Sequence, residues 1–188
     1  MVDVYKNCPI LENENYLLRL IEEKDASDLL EVYSDKNALP FFNSDNCHGD
    51  NFYYPTIERM LEAVRFWVSA YENRWFVRFT VIDKNTAKAI GSVEMFHRDA
   101  DDAFDGTGVL RLDVKSDYEK EDILFSIVSL ITPPSFELFY CNEIITKAPI
   151  YAVERIKAIQ KFGYTKSDHC MVGTNDGYAY NGYWTMQK

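Results

Sequence analysis

The stretch from Ser116 to Leu124, SDYEKEDIL, stands between a run of alternating apolar residues and an amphipathic run. It reads as a turn that delivers a strand into the N-terminus of a helix. Turns of this kind hold phosphate, because free backbone N–H groups and the positive end of the helix dipole converge there. Glycine usually lines them, so that the backbone can approach the ligand without a Cβ in the way. This turn has no glycine and carries Glu119, Glu121 and Asp122 against Lys115 and Lys120. Like charges about 4 Å apart repel by roughly 4 kcal/mol at an effective dielectric near 20. The turn therefore opposes an anionic ligand, while its acids suit the first turn of a helix on their own account.

Other side chains offer acid–base chemistry. Glu94 and His97 lie on one strand-like run and Asp113 on another, where each could serve as a general base, directly or through water. The competing reading of Glu94 is an exposed strand residue, since one face of a sheet is often solvated. His97 and His169 are isolated. His48 follows Cys47, but a nucleophile and its base meet in space and need a third orienting group, so adjacency alone carries nothing. The four cysteines, Cys8, Cys47, Cys141 and Cys170, form no C-x-x-C pair and read as reduced thiols of a cytoplasmic protein. The run RDADDAFDGT, residues 98 to 107, has four aspartates, yet a calcium loop in that register needs an oxygen ligand at Ala103 and a glutamate at Leu112. It reads as a solvated charged loop. Between Asp35 and Tyr54, Phe41, Phe42, Phe52, Tyr53 and Tyr54 either line a cleft or pack beneath their loop, the second being commoner for large rings.

The elements that position these groups follow from periodicity. Asn15 to Glu22 is a strand, and Asp25 is placed as N-cap of a helix carrying Ala26, Leu29, Leu30 and Tyr33. Pro55-Thr56 opens a helix with Ile57, Met60, Leu61, Val64, Trp67, Val68 and Tyr71 on one face, ending near Asn73. Trp75 to Ile82 and Lys88 to His97 form a hairpin. A strand from Gly108 to Lys115 turns Leu110, Leu112 and Val114 one way and Arg111, Asp113 and Lys115 the other. The next helix shows Ile123, Ile127, Leu130 and Ile131 and is expected to stop at Pro133-Pro134. Cys141 to Lys147 is a strand, Pro149 is expected in the first turn of a helix with Ala152, Ile156 and Ile159, and Gly163 ends that helix. The tail reads as two strands joined by Thr174 to Gly177. The result is one α+β domain over residues 1–188. Its formal charge of -10 repels nucleic acid and anionic lipid surfaces, and no run is long and apolar enough to span a membrane.

Three patterns in this order resemble the GNAT superfamily of acetyl-CoA-dependent N-acyltransferases, in particular the branch acting on ribosomal-protein N-termini or small amines. Leu17-Leu18-Arg19-Leu20 followed by Asp25-Ala26 is similar to the family's opening strand and helix start. Phe76 to Ile82 with Ala89-Ile90-Gly91-Ser92-Val93 is similar to its central hairpin, and Arg155 to Tyr164 to its helix ending in Lys-x-Gly-Phe. The resemblance implies a mixed, largely antiparallel sheet flanked by helices on both faces, with acetyl-CoA in the notch where the fourth and fifth strands splay. It implies pantetheine pairing to Leu112, Asp113 and Val114, and a phosphate loop containing Ser116, Tyr118, Lys120, Asp122 and Ile123. It also implies a base such as Glu94 or Asp113, a tyrosine acid for which Tyr151 stands nearby, and a small-molecule or peptide amine as acceptor, in a monomer or homodimer.

Two departures open an alternative. Where the family loop runs approximately Tyr-Arg-Gly-Lys-Gly-Ile-Gly, this chain has Tyr118 to Leu124, YEKEDIL, and the family's asparagine and tyrosine fall on Ala152 and Ile159. The expected activity is N-acetyl transfer from acetyl-CoA to a primary amine. The alternative is a non-catalytic binding or regulatory module that has lost its cofactor.

Overall fold

The computed structural model describes residues 3 to 188. Its strands are β1 (Leu11–Glu12), β2 (Tyr16–Leu20), β3 (Val77–Asp83), β4 (Lys88–His97), β5 (Gly108–Val114), β6 (Glu143–Lys147), β7 (Thr165–Lys166), β8 (Met171–Val172), β9 (Ala179–Tyr180) and β10 (Tyr183–Gln187). The α-helices are α1 (Ala26–Tyr33), α2 (Ile57–Glu72), α3 (Glu121–Leu138) and α4 (Val153–Phe162). Eight strands form one sheet in the order β1-β2-β3-β4-β5-β6-β10-β7, and β8 pairs with β9 apart from it. All its pairings are antiparallel except β5 with β6.

Alternation along the central strands sorts their side chains between two helical layers. Phe79, Val93, Leu112 and their neighbours in register pack with Leu124, Ile127 and Ile131 of α3 and Ala158 and Ile159 of α4. On the other side Leu29, Val32 and Tyr33 of α1 meet Met60, Val64 and Trp67 of α2. That second face of the sheet is polar as well as buried. Arg78, Glu94 and Arg111 stand in one cross-strand row, and Thr80, Ser92 and Asp113 in the next. Glu94 is therefore not an exposed strand residue.

Gly91 lets β4 approach β5, since a Cβ there would lie 2.2 Å from the Asp113 carbonyl oxygen. Gly163, at φ 120°, ends α4 with its N–H donating to Ile159 and Gln160.

Several local expectations are corrected. α3 runs through Pro133 and Pro134 to Leu138, because Thr132, Ser135, Phe136 and Leu138 are all buried in its last turns. The packing outweighs two missing donors. α4 begins at Val153, and Pro149 instead accepts the Ala152 N–H in the turn before it. Asp25 places no side-chain cap on α1; its carboxylate accepts the Glu22 N–H and pairs with Arg19. The tail holds four short strands, of which β8 and β9 form the hairpin with Thr174 to Gly177 at its tip. Asp102 is not solvated: it forms a buried pair with Arg98. Among the described residues no helix is long and apolar enough to cross a membrane.

Candidate functional site

β5 and β6 pair only from Gly108 with Ile144 to Leu110 with Thr146, then part. The notch so opened is closed again by a side chain. Arg155, in the first turn of α4, is 4% exposed, and its Nη1 donates to the Leu112 carbonyl at 2.7 Å and to that of Phe41 at 3.1 Å. Its Nε and Nη2 form a two-point pair with Glu119 at 2.8 and 2.7 Å. Tyr151 lies beside it on the surface, its hydroxyl donating to the Pro40 carbonyl at 2.7 Å. The segment from Leu39 to Asp45 is thereby pinned across the splay. Farther along, Arg111 Nη2 donates to the Asp45 carbonyl, and Lys147 Nζ sits 2.7 and 2.6 Å from the two Asp45 carboxylate oxygens.

The turn after β5 has spent most of its donors. Ser116 N–H goes to Asp35, Glu119 N–H to Ser116 and Lys120 N–H to Tyr118, while Leu124 N–H closes the first turn of α3 on Lys120. Glu121 N–H is capped by the Glu154 carboxylate at 3.1 Å. Tyr118 turns its hydroxyl to Asp83. Asp122 and Ile123 occupy the first turn of α3.

The Leu112 carbonyl accepts from the Arg155 guanidinium, and carboxylates stand at the N-terminal end of α3. The acids of the turn act differently from their local composition, since Glu119 is paired with Arg155.

Of the expected bases, Glu94 and Asp113 share one buried network. Glu94 pairs with Arg78 through one oxygen and with Arg111 at 2.8 Å through the other. Burial disfavours its charge, but the two arginines outweigh that and hold the carboxyl below its ordinary value. Asp113 Oδ2 accepts from Tyr33 at 3.1 Å and lies 3.4 Å from Arg78, while Oδ1 has no hydrogen-bond partner among the described residues. Burial raises its pKa despite Arg78 and Arg155. His97 sits at the end of β4 with Nδ1 2.9 Å from the Phe139 carbonyl oxygen. Tyr151 is brought to the rim of the notch and not to Glu94 or Asp113: its bond is to Pro40.

A separate cleft of about 710 Å³ opens on the α2 side of the sheet. Glu94, Phe96 and Arg111 form its floor and Trp67 and Trp75 part of its wall. Phe52 and Tyr54 both pack in the core and line this cleft, so the two readings of the loop aromatics hold together. Asn46 ties the cleft's rim to the β8–β9 tip, with Nδ2 3.1 Å from Thr174 Oγ1 and Oδ1 accepting the Asn175 N–H at 2.8 Å. Sequence reasoning missed Arg155 and Arg111 as site residues. Their signal was a basic residue on the apolar stripe of a helix, for Arg155, and on the polar face of a strand beside Asp113, for Arg111, which gains meaning only with a partner.

No family model and no curated protein matches this chain. Solved structures do. A GNAT-family acetyltransferase from Bacillus anthracis is 15% identical with a TM-score of 0.69, covering 95% of this chain and 98% of its own. A ribosomal-protein-S5-alanine acetyltransferase from Vibrio fischeri is 19% identical at a TM-score of 0.68, covering 96% of each. A spermidine/spermine N-acetyltransferase from Vibrio cholerae, solved in mutant forms, is 13% identical at a TM-score of 0.63, covering 93% and 95%. The shared fold is that of the GNAT acetyltransferases.

Proposed function

We propose that this chain is a GNAT-fold binding module that does not take up acetyl-CoA in the notch of its sheet. One observation carries the reading: Arg155, buried between α4 and β5, bonds to the Leu112 carbonyl while pairing with Glu119. A cofactor pairing with the Leu112 carbonyl would have to displace a hydrogen bond from a charged donor. Such a bond contributes about 1.5 to 3 kcal/mol, or roughly a factor of ten to a hundred in affinity. The capped N–H of Glu121 supports the same reading from the other end of the site. The cysteines are free thiols, in keeping with a cytoplasmic protein.

Calorimetric titration with acetyl-CoA, paired with a thermal-shift assay, tests this. Absence of heat and of any shift at millimolar cofactor is the expected result. Micromolar binding would overturn the proposal.

A second reading is N-acetylation of a primary amine on a small molecule or protein N-terminus. The splay of β5 from β6 beyond Leu110 favours it, as does the likeness to solved enzymes whose names give a ribosomal-protein alanine and spermidine as their targets. On that reading Leu112, Asp113 and Val114 with Ser116, Tyr118, Lys120, Asp122 and Ile123 would hold the cofactor, and Glu94, Asp113 and Tyr151 would be the acid–base candidates.

A further inference from the structure

The cleft on the α2 side of the sheet, about 710 Å³ in volume, falls in the size range of small-molecule sites. One of its walls is held in place at a cost. The segment from Asn46 to Phe52 carries Asn46, His48 and Phe52 at φ 60°, 54° and 60°. For a ring-bearing residue such as Phe52, this left-handed backbone is strained and persists only where its surroundings impose it. They do so here. Phe52 N–H donates to Asp50 Oδ1 at 2.8 Å, the Phe52 ring packs on Tyr33 and Tyr54, and Asn46 is tied to Thr174 and Asn175. The cavity is therefore preformed.

Its charged side chains answer one another. Arg111 Nη1 donates to Glu94 at 2.8 Å, and Arg59 Nη2 donates to Asp50 at 2.8 Å, so both arginines of the lining have a carboxylate of the same lining. Arg78, which also pairs with Glu94, is 0% exposed and lies out of a ligand's reach. Cys47 adds no charge, since burial pushes its thiol up to about 11, and His48 is exposed to water. An ion entering the cleft would leave water without finding an unpaired counter-charge, a loss that a neutral molecule avoids.

Apolar surface, in contrast, stands uncovered. Phe66 and Trp75 are 53% and 59% exposed. The Phe66 ring centre lies 6.3 Å from that of Trp75 and 6.2 Å from that of Phe76, with the planes tilted by 52° and 59°. The three rings make an angled apolar corner, which a compact apolar body can cover. From the balanced ion pairs, this corner and the fixed wall opposite, we infer that the cleft binds an uncharged, largely apolar small molecule. The inference rests on the reading of this chain as a binding module, for which it supplies the ligand class.

The test is calorimetric titration of the full chain at pH 8 with three indoles that share a ring and differ in charge: tryptophol, indole-3-acetate and tryptamine. Tryptophol should bind about tenfold or more tightly than either ion, equivalent to roughly 1.4 kcal/mol. Arg59→Gln takes the cation from Asp50, so in that variant tryptamine should gain several-fold over indole-3-acetate. Trp75→Ala and, independently, Phe66→Ala should each weaken tryptophol several-fold while the far-UV spectrum stays unchanged. An ion that binds the native protein as tightly as tryptophol overturns the inference, as does absence of tryptophol binding at about 10 mM. So does an unchanged ratio of acid to amine affinity in Arg59→Gln, or tryptophol binding that both ring substitutions leave untouched. Acetyl-CoA titrated separately keeps the two proposals distinct: its binding would sink the exclusion of the cofactor from the notch without touching the preference of the cleft.

Discussion

Arg155 and Glu119, 36 residues apart in the chain, meet in a two-point ion pair whose side chains are 4% and 6% exposed. The pair spans the gap between α4 and the turn leading into α3, and the third arm of the guanidinium rests on the Leu112 carbonyl. The pair and this bond together tie α4 to the end of β5 and to the turn after it.

Removing one partner should leave a buried charge uncompensated. Arg155→Ala is expected to lower unfolding stability by about 3 to 5 kcal/mol, read as a drop in the urea midpoint. Arg155→Ala combined with Glu119→Ala should cost clearly less than the sum of the single losses. Additive losses would mean that the two residues do not act as a pair.

Glu94 and Asp113 should impose opposite pH dependences. The folded-state pKa of Glu94 lies below its ordinary value of 4.5, so its contribution is present above that value and is lost as pH falls through the depressed pKa. Glu94→Gln should accordingly be destabilised at neutral pH yet show a flatter acid limb. Asp113 is raised above its ordinary 3.8, so its contribution is full below that value and is lost as pH rises through the folded pKa. Relative to wild type, Asp113→Asn should gain stability toward neutral pH. Urea unfolding at a series of pH values measures both slopes.

Cys47 lies in the cleft, and burial pushes its thiol up to about 11 against the pull of Arg111. At pH 8 such a thiol is ionised to only about one part in a thousand, against roughly a quarter for an ordinary cysteine. Iodoacetamide on the native protein should leave Cys47 largely unlabelled and reach it once urea is added. Peptide mass spectrometry reads the site, and native labelling at the unfolded rate would contradict the assigned environment.

Pro133 and Pro134 lie inside α3, where they deny the Ser129 and Leu130 carbonyls their helical donors. Pro134→Ala should restore one such bond and stabilise the protein by about 1 to 3 kcal/mol, visible as a higher urea midpoint. A loss of stability would show that the proline ring supplies packing worth more than the bond.

The order of strands and helices could be read directly, because periods of two and 3.6 in apolar residues depend on near neighbours alone. The α2 stripe, the β3–β4 hairpin and the stop at Gly163 all follow that way. Helix bounds failed where distant packing outweighed a local breaker, as in the last turns of α3. The acids Glu94 and Asp113 are visible on their strands, but not the arginines Arg78, Arg111 and Arg155 that the fold brings to them.

What the sequence alone determined is the fold and the oddity of the turn from Ser116 to Leu124, which has four acids and no glycine. What only the tertiary structure decided is the use of those acids. Glu119 finds its counter-charge on α4, Glu121 N–H is capped from the same helix, and the notch is closed by hydrogen bonds rather than by repulsion alone. Charge compensation depends on distance through space, and two residues far apart in the chain reveal their pairing only once the helices carrying them are packed.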